Sequence, residues 1–359
     1  MTVGWIFNHP RHSVRLDGEP LNTTLDVAIA LVRGASLAAL LSLFGASLFR
    51  CLIAPDPGSG VLRQWSVLSL ITAWLTGVVW FGMEAASIGE AHSVAETWRL
   101  FWPVMSETRF GNVLAGRFIL LGVVAILLPL ERRRPWAGAA VAGLALILQA
   151  DLGHAAAMGG RESAGLIATE TLHLLAAGAW LGGLVPLMLV LSASPAPSAA
   201  IAARRFSPLG LSCVLILAAT AAAQGFELIG SVAGLFGTAF GQLALVKIAL
   251  FLVLLAVAAF NRFRLTHTMA TARGEWARRR VVQTVGAETF TGLLVVFAAG
   301  ILASLPPAMH MHMQEMPMEM AQPEAPLSGS PAQVIGSPTE GVPGTARPGT
   351  AGEGHVHAH

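Results

Sequence analysis

Residues 170–183 of the chain read Glu-Thr-Leu-His-Leu-Leu-Ala-Ala-Gly-Ala-Trp-Leu-Gly-Gly, inside an apolar run that covers residues 164–191. A transmembrane helix needs about 20 such residues, so this run is long enough to cross a bilayer. Glu170 and His173 are three positions apart and therefore share a helix face, on which Trp180 follows two turns later. A charged group at the centre of a membrane costs about 2.5 kcal/mol or more. The stretch therefore predicts a helix that presents polar ligands to the interior of a bundle.

The same helix contains three glycines close together, Gly178, Gly182 and Gly183. Glycine has no side chain, so a neighbouring membrane helix can approach its backbone closely. We expect Gly182, Gly183 and Trp180 to form a packing surface rather than to bind a ligand.

The composition indicates an integral membrane protein. Hydrophobic residues make up 54% of the 359 residues and charged residues 12%, whereas ordinary soluble domains have about 25% charged residues. Lys247 is the only lysine, which excludes the Gly-Lys-Ser/Thr motif of P-loop ATPases. We therefore expect neither an ATP-driven pump nor an enzyme. The net charge of +2 gives no reason to expect a nucleic acid partner.

Eight apolar runs have membrane-spanning length. They cover residues 25–53, 65–88, 110–130, 136–157, 164–191, 206–229, 240–260 and 281–305. We predict an all-α, polytopic membrane helix bundle with eight transmembrane helices over residues 25–307. Between the second and third runs, residues 90–109 mix polar side chains with Trp98 and Trp102, which indicates an external loop with a short interfacial helix.

Arginine is unevenly distributed among the loops that join these runs. One set of alternate loops contains most of the arginines, at positions 50 and 63, 132–134, 204 and 205, and 262–280. Arginine-rich loops stay in the cytoplasm, so the pattern predicts that both termini are periplasmic. We find no internal repeat in the sequence.

The two ends of the chain differ from the apolar part. Residues 1–24 are polar, lack the basic-then-apolar pattern of a cleaved signal, and are predicted to form a periplasmic arm. Residues 308–359 are rich in Met, His, Pro and Gly without an apolar periodicity, and we expect a disordered periplasmic tail.

Most polar residues inside the apolar runs fall in the halves of the helices that this orientation places near the periplasm. They are Arg33, Glu84, Arg117, Asp151, His154, Glu170, His173, Gln224, Glu227 and Lys247, and Glu288 lies nearer the cytoplasm. Carboxylates outnumber basic groups here when both histidines are neutral, which suits a cation. Glu227, Lys247 and Glu288 are candidates for an ion or proton path. The alternative is that these groups pair with one another and hold the bundle together.

Two histidines on adjacent helices indicate a metal site. Asp151 and His154 are three positions apart at the end of the fourth run, with Met158 one turn beyond, and a short loop leads from there to the helix of Glu170 and His173. Carboxylates can hold an imidazole in one tautomer, and imidazole with thioether ligands favours Cu(I). The simpler alternative is a buried histidine that only bonds a neighbouring helix. The predicted ligands and their acidic neighbours are His154, His173, Met158, Met83, Glu84, Asp151 and Glu170.

The tail provides a second indication of copper. It contains Met309, His310, Met311, His312 and Met313, followed by three more methionines and by three histidines in the last five residues. Alternating thioether and imidazole groups favour copper, because methionine has little affinity for zinc. A solubilising extension that binds Ni or Zn weakly is the alternative.

These features together resemble the CopD family of bacterial copper resistance membrane proteins. The resemblance rests on His173-x6-Trp180-x-Gly182-Gly183, Lys247, Asn261-Arg262, Glu288 and Pro306-Pro307. It covers most of residues 25–307 and is most specific over residues 164–307. It implies a multi-pass protein of the bacterial inner membrane that moves copper and receives it from a CopC-like periplasmic carrier. The ligand roles of His154 and His173 are an inference from the residues, not from the family.

Two other functions agree with the same residues. His154 and His173 could instead be the axial ligands of a b-type haem in an electron-transfer protein. The chain could also be a scaffold that presents copper to a partner without transporting it. Bound haem would give a strong Soret absorption band that copper does not give, and copper uptake into sealed vesicles would distinguish a transporter from a scaffold.

Overall fold

The computed structural model describes residues 24–54, 60–130, 134–152, 161–265 and 274–305, and these residues contain helices without any strand. In chain order the helices are α1 (Thr24–Leu52), α2 (Gly60–Ile88), α3 (Val94–Glu107), α4 (Arg109–Leu127), α5 (Pro135–Ile147), α6 (Arg161–Ala193), α7 (Ala196–Ile229), α8 (Val232–Gly237), α9 (Ala239–Phe260) and α10 (Gly274–Leu302). Single 3₁₀ turns follow α4 and α5, and a π-helical turn, Asn261–Leu265, follows α9. The predicted all-α membrane helix bundle is confirmed.

Seven helices of the described part are long and apolar enough to cross a membrane. The fourth predicted run differs, because α5 ends at Ile147 and only the turn Ala150–Leu152 follows before residues 153–160, which lie outside the description. A helix of 13 residues is about 20 Å long, shorter than a hydrocarbon core of about 30 Å. Eight crossings and the placement of the termini therefore stay predictions.

The structure gives the bounds of α3 and α7 more closely than the sequence did. The short helix expected within residues 90–109 is α3, whose N-cap is Ser93 and whose Trp98 and Trp102 are 74% and 72% exposed. Helix α7 begins at Ala196, ten residues before the predicted position. The stretch before Phe206 contains Arg204 and Arg205, so hydropathy does not mark it as apolar although its alanines favour a helix.

Two corners of the fold have the same construction. At the first corner Thr108 lies between α3 and α4, its hydroxyl donates to the Val104 carbonyl over 2.6 Å, and it accepts from the Gly111 amide at 2.9 Å. At the second corner Thr238 lies between α8 and α9, donates to the Gly234 carbonyl over 2.7 Å, and accepts from the Gly241 amide at 3.0 Å. Both corners have the sequence Thr-x-Phe-Gly followed by an amide residue.

The two central helices α1 and α6 meet in a reciprocal contact. A Cβ atom added to Gly45 would lie 2.4 Å from the Gly178 carbonyl oxygen, and one added to Gly182 would lie 1.9 Å from the Leu41 carbonyl oxygen. Leu41 precedes Gly45 by one turn, as Gly178 precedes Gly182. Equivalent residues of the two helices therefore exchange places across the contact, as in a two-fold symmetric interface.

Helices α2 and α7 also match in the spacing of their buried residues. The buried residues of α2 include Ser66, Leu70, Ala73, Gly77 and Trp80, and those of α7 include Phe206, Gly210, Cys213, Leu217 and Thr220, with the same spacing. Each half of the chain has the same order of helices: two long, one short, one long and a final one. The first half is α1 to α5 and the second is α6 to α10. The final helix is short in the first half (α5) and long in the second (α10). The matching residues of α2 and α7 are mostly small or apolar and differ in identity, so the absence of an evident sequence repeat is compatible with this similarity.

Candidate metal site and a second polar cluster

The polar residues of α6, α7 and α9 form one group, which we name the second-half cluster: Glu170, His173, Thr220, Gln224 and Lys247. The Gln224 amide donates to Glu170 Oε2 over 2.7 Å. His173 Nδ1 lies 2.9 Å from Thr220 Oγ1. Glu170 and His173 share one face of α6 because they are three positions apart, and both partners lie on α7 one turn apart.

Lys247 of α9 approaches the same cluster from a third helix. Its ammonium interacts electrostatically with both Glu170 and His173, but it forms no close ion pair with any described carboxylate. One carboxylate and one ammonium give the cluster no net charge when the imidazole is neutral. Within the described residues the Nε2 atom of His173 makes no hydrogen bond, and the only one of this imidazole is at Nδ1.

The polar residues of the first half form a different group, the first-half cluster: Arg33, Ser36, Trp80, Glu84, Arg117 and Gln149. Glu84 Oε2 accepts from the Trp80 indole at 3.2 Å and lies 3.9 Å from Arg33 Nη2. The guanidinium carbons of Arg33 and Arg117 lie 5.4 and 5.3 Å from the centroid of the Trp80 ring, within the range of cation–π attraction.

Arg117 is 1% exposed and its described partners are neutral. It donates to Gln149 Oε1 over 2.7 Å and to Ser36 Oγ over 3.3 Å. Two guanidiniums and one carboxylate give the first-half cluster a positive balance, which does not favour a cation. Met83, half-buried on the same helix as Glu84, packs with apolar neighbours of this cluster.

Asp151 pairs with an arginine and makes no described hydrogen bond to the second-half cluster. Asp151 lies in the 3₁₀ turn after α5, where its carboxylate is 37% exposed and accepts from Arg109 Nη2 at 3.2 Å. The predicted neighbours His154 and Met158 lie outside the described residues, as do Met309–Met313 of the tail. The pairing of Asp151 with an imidazole therefore stays a prediction, and its described partner is an arginine.

The remaining candidate residues, Glu227 and Glu288, make no described hydrogen bond or ion pair with either cluster. Glu227 is exposed near the end of α7. Glu288 of α10 is buried and accepts a hydrogen bond from the Asn261 amide, and Thr284 donates to Asn261 Oδ1 over 2.5 Å. Asn261 opens the π-helical turn after α9, and π turns within helices are frequent at functional sites.

The packing residues of α6 contact three different helices. Gly182 meets the backbone of α1. A Cβ atom at Gly183 would lie 2.7 Å from the Phe206 ring of α7. Trp180 is buried against Gly210 of α7 and packs edge-on to Phe251 of α9, with ring centroids 6.3 Å apart.

The second-half cluster by itself does not supply three metal-ligating side chains of the usual types. No group of three or more His, Cys, Asp or Glu side chains converges anywhere in the described part of the chain. Glu170 and His173 thus supply at most two such ligands. The sequence analysis did not identify Thr220. It could have been found as a hydroxyl residue at a position of α7 whose spacing is that of the buried, otherwise mostly apolar residues.

Two models of known protein families match most of the helix bundle. Residues 24–164 match the family model described as copper resistance protein D-like, N-terminal domain. Residues 200–302 match the model of copper resistance protein D. Residues 165–199, which lie between the two matches, belong mostly to α6.

Three curated relatives are similar over shorter or longer stretches. The copper transport protein CutJ of Bacillus subtilis (strain 168) is 35% identical over 165 residues, which cover 45% of this chain and 29% of CutJ. Copper resistance protein D of Pseudomonas syringae pv. tomato is 27% identical over 77% of this chain and 96% of its own length. Inner membrane protein YebZ of Escherichia coli (strain K12) is 28% identical over 57% of this chain and 72% of its own length. No solved structure matches the chain.

Proposed function

Because the chain belongs to the copper resistance protein D family and is a multi-pass protein of the bacterial inner membrane, we propose that it binds copper at its periplasmic face and conducts it toward the cytoplasm without ATP. The chain spans less than a third of CutJ, so the transport that the name of CutJ describes is part of this proposal. Copper is the cargo here, and Cu(I) is the form that imidazole and thioether ligands favour.

The observation that carries the proposal is the open Nε2 atom of His173 beside Glu170. Of the two histidines in the described residues, His92 is exposed near α3 and His173 lies inside a candidate membrane span. A polar nitrogen without a partner is costly inside a membrane, and a bound metal would satisfy it. The neutral second-half cluster suits this better than the positive first-half cluster.

We propose that ligands outside the described residues complete the site. In sequence, His154 and Met158 come after the turn Ala150–Leu152, which packs against α6. One imidazole and one thioether from this segment would join His173 to give a soft ligand set. The tail methionines and histidines would collect copper, and a CopC-like periplasmic carrier would deliver it.

The proposed route to the cytoplasm passes from Lys247 toward Glu288. Both lie on the α9 and α10 pair, and Glu288 is held by Asn261 where α9 becomes a π turn. Oxygen ligands suit protons and hard cations better than Cu(I). We therefore assign Glu288 to a proton or accompanying ion, and Glu227 to the periplasmic entrance.

The test is a copper titration combined with an absorption spectrum on one purified sample. A chain that ends after Ala308 lacks six methionines and five histidines of the tail, and we expect it to insert and to bind copper with reduced stoichiometry. In this background His173→Gln should abolish the remaining site. Retention of core copper binding by that variant would contradict the proposal, and a strong Soret band would indicate haem b instead.

The periplasmic placement is tested by cysteine labelling with an impermeant thiol reagent. In a chain without Cys51 and Cys213, a cysteine at Trp98 should react from the periplasm, because α3 lies on the outer side in the proposed orientation. A cysteine at Arg63, which is exposed near the start of α2, should not react. The reverse pattern would invert the orientation.

A further inference from the structure

Thr220 connects the imidazole of His173 to the backbone of α7. Its side chain is 7% exposed. Its hydroxyl lies 2.7 Å from the Ile216 carbonyl oxygen and 3.2 Å from the Leu217 carbonyl oxygen. Its third contact is His173 Nδ1 at 2.9 Å. Threonine commonly bonds the carbonyl four residues earlier in its own helix, but here the same oxygen also faces an imidazole.

A count of protons decides the direction of these bonds. A carbonyl oxygen only accepts, and a hydroxyl has a single proton and two lone pairs. The Thr220 proton is therefore directed to the Ile216 or Leu217 carbonyl, and the oxygen has only lone pairs left for the imidazole. His173 Nδ1 must then carry a proton and donate it to Thr220 Oγ1. In a neutral imidazole this leaves the lone pair on Nε2.

Glu170 does not take this role, although it lies on the same face of α6. Its Oε2 atom accepts from Gln224 over 2.7 Å, and the single hydrogen bond of His173 in the described residues is the one to Thr220. The sequence suggested that a carboxylate holds the tautomer of this imidazole. In the structure the group that contacts His173 Nδ1 is instead the Thr220 hydroxyl of the neighbouring helix.

We propose that Thr220 is a positioning residue that holds His173 in the Nδ1–H tautomer, so that Nε2 is the atom that binds Cu(I). The proposal rests on the proposed copper site. The bond also fixes the plane of the ring, since Thr220 is buried and its own rotamer is held by the α7 backbone. Partners of this kind orient a ligating histidine, and their loss costs about 10–100-fold in metal affinity.

The tautomer is measured on the full-length, metal-free protein in bilayers, with ¹⁵N-labelled histidine. The His173 signals are identified as those that His173→Gln removes. In the wild type, Nδ1 should have the chemical shift of a protonated ring nitrogen and Nε2 that of an unprotonated one. Thr220→Val keeps the shape but removes the acceptor, and should give a mixture of tautomers. Thr220→Ser should restore the wild-type pattern.

The chain offers a matched control in α2. Thr76 also donates to the carbonyl four residues earlier, over 2.7 Å from Thr72, but contacts no described imidazole. Thr76→Val therefore removes the same kind of back-bond and should leave the His173 signals unchanged. A protonated Nε2 in the wild type, or a pure Nδ1–H tautomer in Thr220→Val, would overturn the proposal.

Copper affinity provides the second readout. Full-length variants are titrated with Cu(I) under reductant against a Cu(I) chelator, so that the tail contributes equally to each. Thr220→Val should weaken binding by about 10–100-fold, whereas Thr220→Ser and Thr76→Val should match the wild type. Unchanged affinity in His173→Gln would refute the copper site itself, and the NMR result would still decide whether Thr220 sets the tautomer.

Discussion

The two halves of this protein share a scaffold and differ in the charges placed on it. The corners at Thr108 and Thr238 have the same hydrogen bonds, and α1 and α6 contribute equivalent turns to their contact. Small residues and caps determine this scaffold, because they set how closely helices approach and where they begin. The polar clusters are built on top of it.

Corresponding positions carry different chemistry in the two clusters. By the spacing of buried residues, Trp80 and Glu84 of α2 match Thr220 and Gln224 of α7. Arg117 matches Lys247, since each lies nine residues after the threonine of its corner. In the first half the Arg33 guanidinium already lies beside the Glu84 carboxylate and over the Trp80 indole ring. In the second half His173 Nε2 has no hydrogen-bond partner among the described residues, so few substitutions separate a self-paired cluster from one with an unpaired ring nitrogen.

The largest expected effect concerns the imidazole. His173→Gln should lower the affinity of the core for Cu(I) by more than the about 10–100-fold typical of an outer partner, because it removes a ligating nitrogen. Ser36→Ala, in the first-half cluster, should leave copper affinity unchanged. Both are measured by titration against a Cu(I) chelator after removal of the tail. Equal losses in the two variants would mean that the halves are not functionally distinct.

The two carboxylates should respond in opposite ways. Glu170→Gln should weaken copper binding, because it removes the carboxylate charge from the second-half cluster, and should affect stability little, because Gln224 can still bond the amide. Glu84→Gln should leave copper binding intact but lower stability by up to about 3–5 kcal/mol, since it removes the carboxylate beside a largely buried guanidinium. Copper titration and thermal unfolding in detergent measure both. Loss of copper affinity in Glu84→Gln would place the core site in the first half.

The shared scaffold should be sensitive at the reciprocal contact. Gly182→Ala places a methyl group against the Leu41 carbonyl, and we expect destabilisation by about 1–3 kcal/mol, as for other overpacked sites. Gly122→Ala in α4 is the control, because a Cβ atom there meets nothing within 4 Å. Thermal unfolding of the two variants is compared. Equal stability would show that α1 and α6 separate without cost.

The smallest expected effect lies at the corners. Arg109 pairs with Asp151 across 3.2 Å in the first half, whereas the matching residue of the second half is Ala239. Arg109→Ala should therefore cost about 0.2–1 kcal/mol, as for exposed ion pairs, and the cost should shrink at high salt. Thermal unfolding at two salt concentrations tests this. A large loss that salt does not reduce would assign the corner a role beyond this pair.

Local patterns of the sequence determined the class of the fold and the positions of most of its helices. Apolar runs of membrane-spanning length mark spans because the bilayer requires apolar residues whose backbone bonds are satisfied within the helix. Helix α3 was predicted for a different reason, since its stretch mixes polar side chains with Trp98 and Trp102. The beginning of α7 was missed because arginines interrupt its first turns. The choice of His173 and Glu170 also followed from the sequence, since a polar pair three apart is conspicuous in an apolar run.

Only the tertiary structure decided which groups meet. Asp151 bonds Arg109 rather than a described histidine, His173 bonds Thr220 rather than Glu170, and Glu84 bonds Trp80. The reciprocal contact between α1 and α6 was likewise visible only in the structure. Each of these pairings joins residues of different helices or selects among neighbours on one face. Which residues meet depends on how the helices are rotated and offset against each other. Small residues at distant positions control this arrangement, and the periodicity of a single helix does not encode it.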